Sequence, residues 1–179
     1  MRASHIAAMA GCALVLGCGE FLSFEAEAPN ACVTISGVHV PGLDEVPVPR
    51  TLPVPKATVT QSFDVPIDQS VLPTGSSARI SLVSFELLAP TGVSFDFVDS
   101  LQLSAMASGV EHPLTRYDKS AAVGNSLALR PSPAPEVTPY ITNGVLTLQG
   151  TLTASLPDHG FDVQAIACFD VAANIGKVQ

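Results

Sequence analysis

Aromatic residues are scarce in this sequence: tryptophan is absent, and the chain has only two tyrosines and eight phenylalanines. Proteins that bind sugars by stacking commonly use exposed Trp or Tyr rings, so the composition disfavours a stacking platform. Tyr117 and Tyr140 would have to provide one, as an exposed co-planar pair beside a groove. A carbohydrate-binding module is therefore an alternative function that depends on these two residues.

Positive charge is also scarce, because 8 Lys and Arg residues oppose 16 Asp and Glu residues and give a net charge of −8. The chain has no run of basic residues. A nucleic acid or an anionic lipid surface is attracted by clustered basic side chains, so neither is expected as the main partner.

Common catalytic motifs are missing as well. The chain has no HExxH pair, phosphate-binding loop, dinucleotide-binding glycine pattern or EF-hand loop. Residues 92–96 resemble a nucleophile elbow but lack its final glycine. His39, His112 and His159 are isolated in the sequence, with no metal-ligand spacing, and are interpreted as surface or strand-end residues. We therefore expect no cofactor and no catalysis.

Carboxylates are the remaining candidates for chemistry, and Asp96 and Asp99 stand three residues apart on a predicted turn. Calcium takes about six to eight oxygen ligands, so one pair supplies too few. Capping of the turn by these side chains is the simpler interpretation. A calcium- or carboxylate-dependent, hydrolase-like site at Asp96 and Asp99 remains the other alternative function. Clustering with Asp44 or Asp158 would favour it.

The N-terminus carries the most specific signal. Arg2 precedes an uncharged, mostly apolar run that is too short to span a bilayer but is typical of a signal-peptide core. The run ends in Val15-Leu-Gly-Cys18, which resembles the lipobox of bacterial lipoproteins, whose cysteine receives a diacylglycerol and becomes the first residue after cleavage. The resemblance covers residues 1–18. It implies a signal-peptide helix over residues 1–17, a lipid on Cys18 and, because Gly19 follows, export to the outer membrane of a Gram-negative bacterium.

Other interpretations of this region remain open. Residues 9–12 also resemble a lipobox that ends in Cys12, although its apolar core would be short. Residues 26–28 fit the small-x-small rule of ordinary secretion, with Pro29 directly after them. A buried structural helix is the third alternative.

The lipoprotein interpretation assigns all four cysteines. Cys12 leaves with the signal peptide and Cys18 carries the lipid, so Cys32 and Cys168 remain as an even pair in an oxidising compartment. We predict a disulfide between them. The alternation of apolar residues puts both on the less apolar face of their strands, which favours a bridge across the outer surface of neighbouring strands. Two free, buried thiols are the alternative.

From Cys32 onward the dominant pattern is the period of two that indicates half-buried strands. The apolar phase slips near Val83, which predicts a bulge, and Asn143-Gly144 predicts a tight turn. The length suits one domain. We predict an all-β, antiparallel β-sandwich over residues 31–179, immunoglobulin-like in broad shape, with seven or eight strands. The predicted strands cover 32–40, 57–65, 80–89, 101–105, 127–129, 145–155 and 161–169.

Two linking segments complete the organisation. Residues 18–30 are predicted to be an acidic tether between the lipid and the domain. The segment Pro41–Pro55 favours polyproline II structure and is interpreted as an edge or crossing loop, with a docking segment as the alternative.

The sequence as a whole predicts a lipid-anchored protein of the cell envelope that binds or scaffolds without catalysis. Its expected partners are the membrane, reached through the N-terminal lipid, and another envelope protein or a surface polymer.

Overall fold

The computed structural model describes residues 31–45, 56–67 and 77–174. The predicted signal peptide, Cys18, the acidic tether and residues 46–55 of the proline-rich segment lie outside the described residues. No helix within the described part has the length and apolarity needed to cross a bilayer. A 3-10 turn at Thr138–Tyr140 precedes the seventh strand. The strands are β1 (Ala31–Val40), β2 (Lys56–Pro66), β3 (Ser77–Leu88), β4 (Val98–Ala107), β5 (Val110–Asp118), β6 (Ser126–Leu129), β7 (Val145–Ser155) and β8 (Phe161–Asn174).

The strands form two antiparallel sheets of four strands each. The first sheet has the order β1-β8-β3-β6 and the second sheet the order β2-β7-β4-β5. The predicted all-β sandwich is therefore confirmed. The pairs β1-β8, β2-β7, β3-β6 and β4-β5 are those of one long hairpin wound around itself, which is the jelly-roll arrangement. This connectivity differs from that of an immunoglobulin domain, which divides its strands between sheets in another order.

The core consists of the apolar side chains that alternate with polar side chains along the strands. Every second residue of β7, including Leu146, Leu148 and Leu152, is buried between the sheets, and the intervening threonines face outward. Strand β8 places Val163 and Phe169 in the same core. The predicted bulge near Val83 is confirmed by a register shift between β3 and β8.

Two tight turns have left-handed backbone conformations. Asn143 and Gly144 have φ values of 52° and 76°, which confirms the predicted tight turn before β7. Ser108 and Gly109 have φ values of 51° and 76° and join β4 to β5. Both pairs are left-handed at both central residues, as type I′ hairpin turns require.

Four connections gather at one end of the sandwich, which we call the loop end: residues 41–45, 89–97, 119–125 and 156–160. The backbone N–H of Leu43 donates to the carbonyl of Pro157, at 2.8 Å, and that of Phe95 donates to the carbonyl of Gly124, at 2.9 Å. The ring of Phe97 meets that of Phe161 edge-on, with centroids 5.9 Å apart. Strand β1 therefore ends at the loop end, where residues 41–45 follow it.

Candidate functional sites at the loop end and on the second sheet

His39, at the end of β1, lies between two carboxylates. Its Nδ1 is 2.7 Å from Oδ1 of Asp162, and its Nε2 is 2.8 Å from Oε2 of Glu45. The hydrogen bonds to Asp162 and Glu45 raise the pKa of His39 above its usual value, because a protonated ring donates to both carboxylates at once. The side chain is partly exposed, so solvent screens these pairs.

A further pair links the connection after β1 to the turn before β8. Nδ1 of His159 is 2.9 Å from Oδ2 of Asp44. The hydrogen bond to Asp44 raises the pKa of His159, and the bond from His159 lowers the pKa of Asp44. Together the three pairs join β1 and the connection after it to β8 and to the turn before β8. We call His39, Asp44, Glu45, His159 and Asp162 the histidine clasp.

The geometry of the clasp fits a structural role better than a chemical one. Both ring nitrogens of His39 are already engaged, so neither is available to a substrate or a metal ion. Among the described residues, no group of three His, Cys, Asp or Glu side chains is placed to hold a metal ion. Gly42 is packed so closely that an added Cβ would overlap the backbone of Gly160 and His159.

Both histidines are exposed and lie at or near strand ends, as interpreted from the sequence. Each also has an acidic partner that is distant in sequence, which the sequence did not indicate. For His39, the Cys32–Cys168 pair is a partial signal, because it makes β1 and β8 antiparallel neighbours. The register of the cysteines would place His39 opposite Phe161, and the shift between Ile35 and Val38 places it opposite Asp162 instead.

Asp96 and Asp99 have separate partners and do not form a shared site. The carboxylate of Asp96 accepts a hydrogen bond from the backbone N–H of Val123 at 2.7 Å and another from Ser94 at 3.1 Å. These two bonds lower the pKa of Asp96. Asp99 instead pairs with Lys56 at 3.0 Å. Asp96 therefore joins two connections of the loop end, whereas Asp99 ties β4 to the first residue of β2.

The two tyrosines do not form an exposed pair. Tyr117 is half-buried in β5, and its hydroxyl group is buried without a hydrogen-bond partner among the described residues. Burial, with a smaller contribution from the charge of Asp96, raises the pKa of Tyr117. The half-buried ring of Tyr140 stacks on His112 instead, with centroids 4.5 Å apart.

The predicted disulfide is confirmed. Cys32 lies directly opposite Cys168 in the β1–β8 register, and the sulfurs are bonded. Because Cys32 is exposed and its neighbours Val33 and Ala167 point into the core, the bridge crosses the outer surface of neighbouring strands as predicted.

The outer face of the second sheet carries uncharged polar side chains at its centre. They come from β2, β7 and β4, where they alternate with core residues. Charged residues lie around this area: Lys56 pairs with Asp99, Arg116 with Asp118, and Glu111 accepts from Ser104. The uncharged set consists of Thr58, Thr60, Ser62, Ser100, Gln102, Gln149, Thr151 and Thr153, whereas Ser104 is fully buried.

An apolar cavity of about 40 Å³ lies between the sheets, beside the edge strands β1 and β2. Phe63, Leu101 and Gly150 contribute to its lining. Gln61 reaches across from β2 and donates to the carbonyl of Gly37 at 3.3 Å. A dry cavity that binds benzene has about 150 Å³, so this space is too small for a sugar or an acyl chain.

No family model matches the chain. No curated protein matches it significantly either.

Proposed function

We propose that the protein is a lipid-anchored component of the bacterial cell envelope, whose β-sandwich acts as a non-catalytic binding or scaffolding module. In this proposal a diacylglycerol on Cys18 enters the outer membrane, and residues 18–30 form the acidic spacer. The resemblance of residues 15–18 to a lipobox supports the anchor. The partner of the sandwich is an envelope protein or a surface polymer.

The position of the disulfide is the observation that carries this proposal. The tether reaches the sandwich at Ala31, the first residue of β1, and β1 is an edge strand. Its next residue, Cys32, is bonded to Cys168 in β8, an inner strand of the first sheet. A pull on the anchor would therefore pass into the inner strand through a covalent bond at Cys32, before it loads the pairs from Val33 onward. Such reinforcement suits a domain held between a membrane and a partner.

The experiment compares Cys18→Ser with Cys12→Ser, the matched change at the other lipobox-like site. Cells are labelled with a traceable fatty acid, and their membranes are separated from the soluble fraction. We expect Cys18→Ser to lose the label and leave the membrane, whereas Cys12→Ser keeps both. Undiminished labelling of Cys18→Ser would reject the anchor.

A further inference from the structure

We propose that the free edge of β2 is a dimer contact, at which a second copy of the chain adds its own β2 in antiparallel orientation. The second sheets of the two copies then join into one continuous sheet, and a two-fold axis relates the copies. This inference goes beyond the binding role proposed above and does not depend on the lipid anchor.

The first argument is that β2 lacks the features that protect the other three edges. A sheet edge presents unpaired backbone N–H and C=O groups, and folded proteins usually blunt it with a short strand, a bulge or a proline. Strand β1 has a register shift between Ile35 and Val38, β5 contains Pro113 and a register shift against β4, and β6 has only four residues. Strand β2 has 11 residues that pair with β7 without interruption, and its only proline is its last residue. Among the described strands, only β7 pairs with β2, so its other edge is open to another chain.

The second argument is that the core is poorly covered on this side of the sandwich. The inward side chains of β2 from Ala57 to Phe63 are only half-buried, whereas those of the neighbouring strand β7 are buried. The apolar cavity lies on the same side, and Val59 and Phe63 contribute to its lining. A strand added beside β2 would place its own inward side chains next to these residues and remove apolar surface from water, which favours association.

The third argument identifies the occupant, because the charge pattern of β2 is complementary to itself. The strand has one positive and one negative side chain, Lys56 and Asp64, which are both exposed on its outer face. In an antiparallel pair of two β2 strands centred on Thr60, Lys56 of each copy lies directly opposite Asp64 of the other. Opposite charges in such positions stabilise paired strands, and like charges destabilise them. A register shifted by two residues would place Lys56 opposite Ser62 or Pro66 and leave both charges unmatched.

The same register suits the inward side chains and the proline. Phe63, the largest inward side chain of this stretch, lies opposite Ala57, the smallest, and Val59 lies opposite Gln61. Pro66 has no N–H to donate to a ladder and falls outside the paired stretch.

The present contacts of the two charged residues are compatible with the dimer. Nζ of Lys56 is 3.0 Å from Oδ2 of Asp99, and Oδ1 of Asp64 accepts a hydrogen bond from Thr147 at 2.6 Å. An ammonium group has three donors and a carboxylate has about four acceptor sites, so each can take a further partner. The two new ion pairs also oppose the long-range repulsion between copies that each carry a net charge of −8.

The test is cysteine cross-linking in intact cells that express the full chain, with copper phenanthroline as the oxidant. Because Thr60 lies on the two-fold axis, Thr60→Cys places two thiols opposite each other, within the distance that a disulfide spans. We expect most of this variant to become a covalent dimer on a non-reducing gel. The control is Thr58→Cys, on the same face of the same strand, whose two copies would lie about 14 Å apart and should stay monomeric. Cells that express Thr58→Cys together with Ser62→Cys should form the dimer, because these two positions are opposite each other.

Charge reversal tests the register independently, by sedimentation of the purified protein in detergent. Either Lys56→Asp or Asp64→Lys places like charges opposite each other at two symmetric positions, and we expect each to weaken the dimer about tenfold. The two changes combined restore opposite charges and should restore the dimer, which a merely structural loss would not do. Thermal unfolding of each variant establishes that it is folded.

Several results would overturn the proposal: no covalent dimer of Thr60→Cys, equal cross-linking of Thr60→Cys and Thr58→Cys, or single charge reversals that leave the dimer unchanged. A cross-link from Thr60→Cys to a different protein would show that another chain occupies the edge, and it would also overturn the proposal. The gel gives the same answer whether or not the chain carries a lipid, so failure of the dimer and failure of the anchor are separate results.

Discussion

Cys32 and Cys168 face each other across β1 and β8, with their Cα atoms 4.0 Å apart and their sulfurs joined. The two strands remain paired to their far end, where a register shift between Ile35 and Val38 places His39 opposite Asp162. Strand β1 is therefore fastened at both ends, by a covalent bond at Cys32 and by the histidine clasp at the loop end. Such support matters for β1 because it is an edge strand, with only β8 beside it.

Removing the disulfide should lower the free energy of unfolding considerably. The bond spans 136 residues of sequence, and chain-entropy models assign a loop of this size about 4–5 kcal/mol. We expect the double change Cys32→Ala and Cys168→Ala to lose up to this amount in urea denaturation. Reduced wild-type protein is the matched control and should unfold at the same urea concentration as the variant. Identical midpoints before and after reduction would contradict the prediction.

The histidine clasp should make stability depend on pH. The carboxylates raise the pKa of His39 and His159, so their contribution is complete below the unfolded value of 6.5 and is lost as the pH rises through the folded value. The pKa of Asp44 is lowered, so its contribution is present above 3.8 and is lost as the pH falls through the folded value. The clasp is strongest between these limits.

The urea midpoint, followed from weakly acid to alkaline pH, measures this dependence. We expect His39→Gln to lower the midpoint at pH values below 6.5, with the difference from wild type shrinking at alkaline pH. His112→Gln, outside the clasp, should show no such convergence. Parallel profiles for wild type and His39→Gln would contradict the clasp.

Replacement by alanine should stabilise the protein at one glycine and destabilise it at another. A Cβ on Gly150 would lie 3.6 Å from the Phe63 ring, an ordinary contact beside the apolar cavity. Gly150→Ala should therefore stabilise the protein by about 0.5–1 kcal/mol, because glycine is costly in a strand. A Cβ on Gly42 would overlap the backbone of Gly160, so Gly42→Ala should destabilise by about 1–3 kcal/mol. Thermal unfolding of both variants is the measurement, and destabilisation by Gly150→Ala would count against the described packing.

The protein should be more stable with phenylalanine than with tyrosine at position 117. Its buried hydroxyl group has no hydrogen-bond partner within the described part of the chain, and an unsatisfied buried polar group costs about 1–3 kcal/mol. Tyr117→Phe should therefore raise the free energy of unfolding, measured in urea. Tyr140→Phe is the control and should have little effect, since the stacked ring on His112 is retained. A loss of stability in Tyr117→Phe would reveal a partner for the hydroxyl group.

The sequence predicts the strands that have one apolar and one polar face. Strand β7 is the clearest example, because leucine and threonine alternate along it, with one side buried in the core and the other side facing outward. Strand β5 was not predicted, since Glu111, Pro113 and Arg116 interrupt its apolar positions and a register shift breaks its pairing with β4. The Ser108-Gly109 turn before it was the signal for that strand.

Strand order and the clasp are harder to predict than the strands themselves. Alternation shows which face of a strand is buried but not which strand lies beside it. The cysteines were the exception, because they indicated that β1 and β8 are neighbours. The pairs His39–Glu45 and His159–Asp44 depend on that neighbourhood and on how two connections meet at the loop end. No spacing of residues in the sequence indicates how these two connections meet.

The lipid anchor is tested by the mass of the N-terminal peptide of the mature protein, isolated from membranes. We expect a chain that begins at Cys18, with a diacylglycerol on its sulfur. A mature chain that begins after residue 28, or one that retains residues 1–17 with Cys18 unmodified, would contradict it.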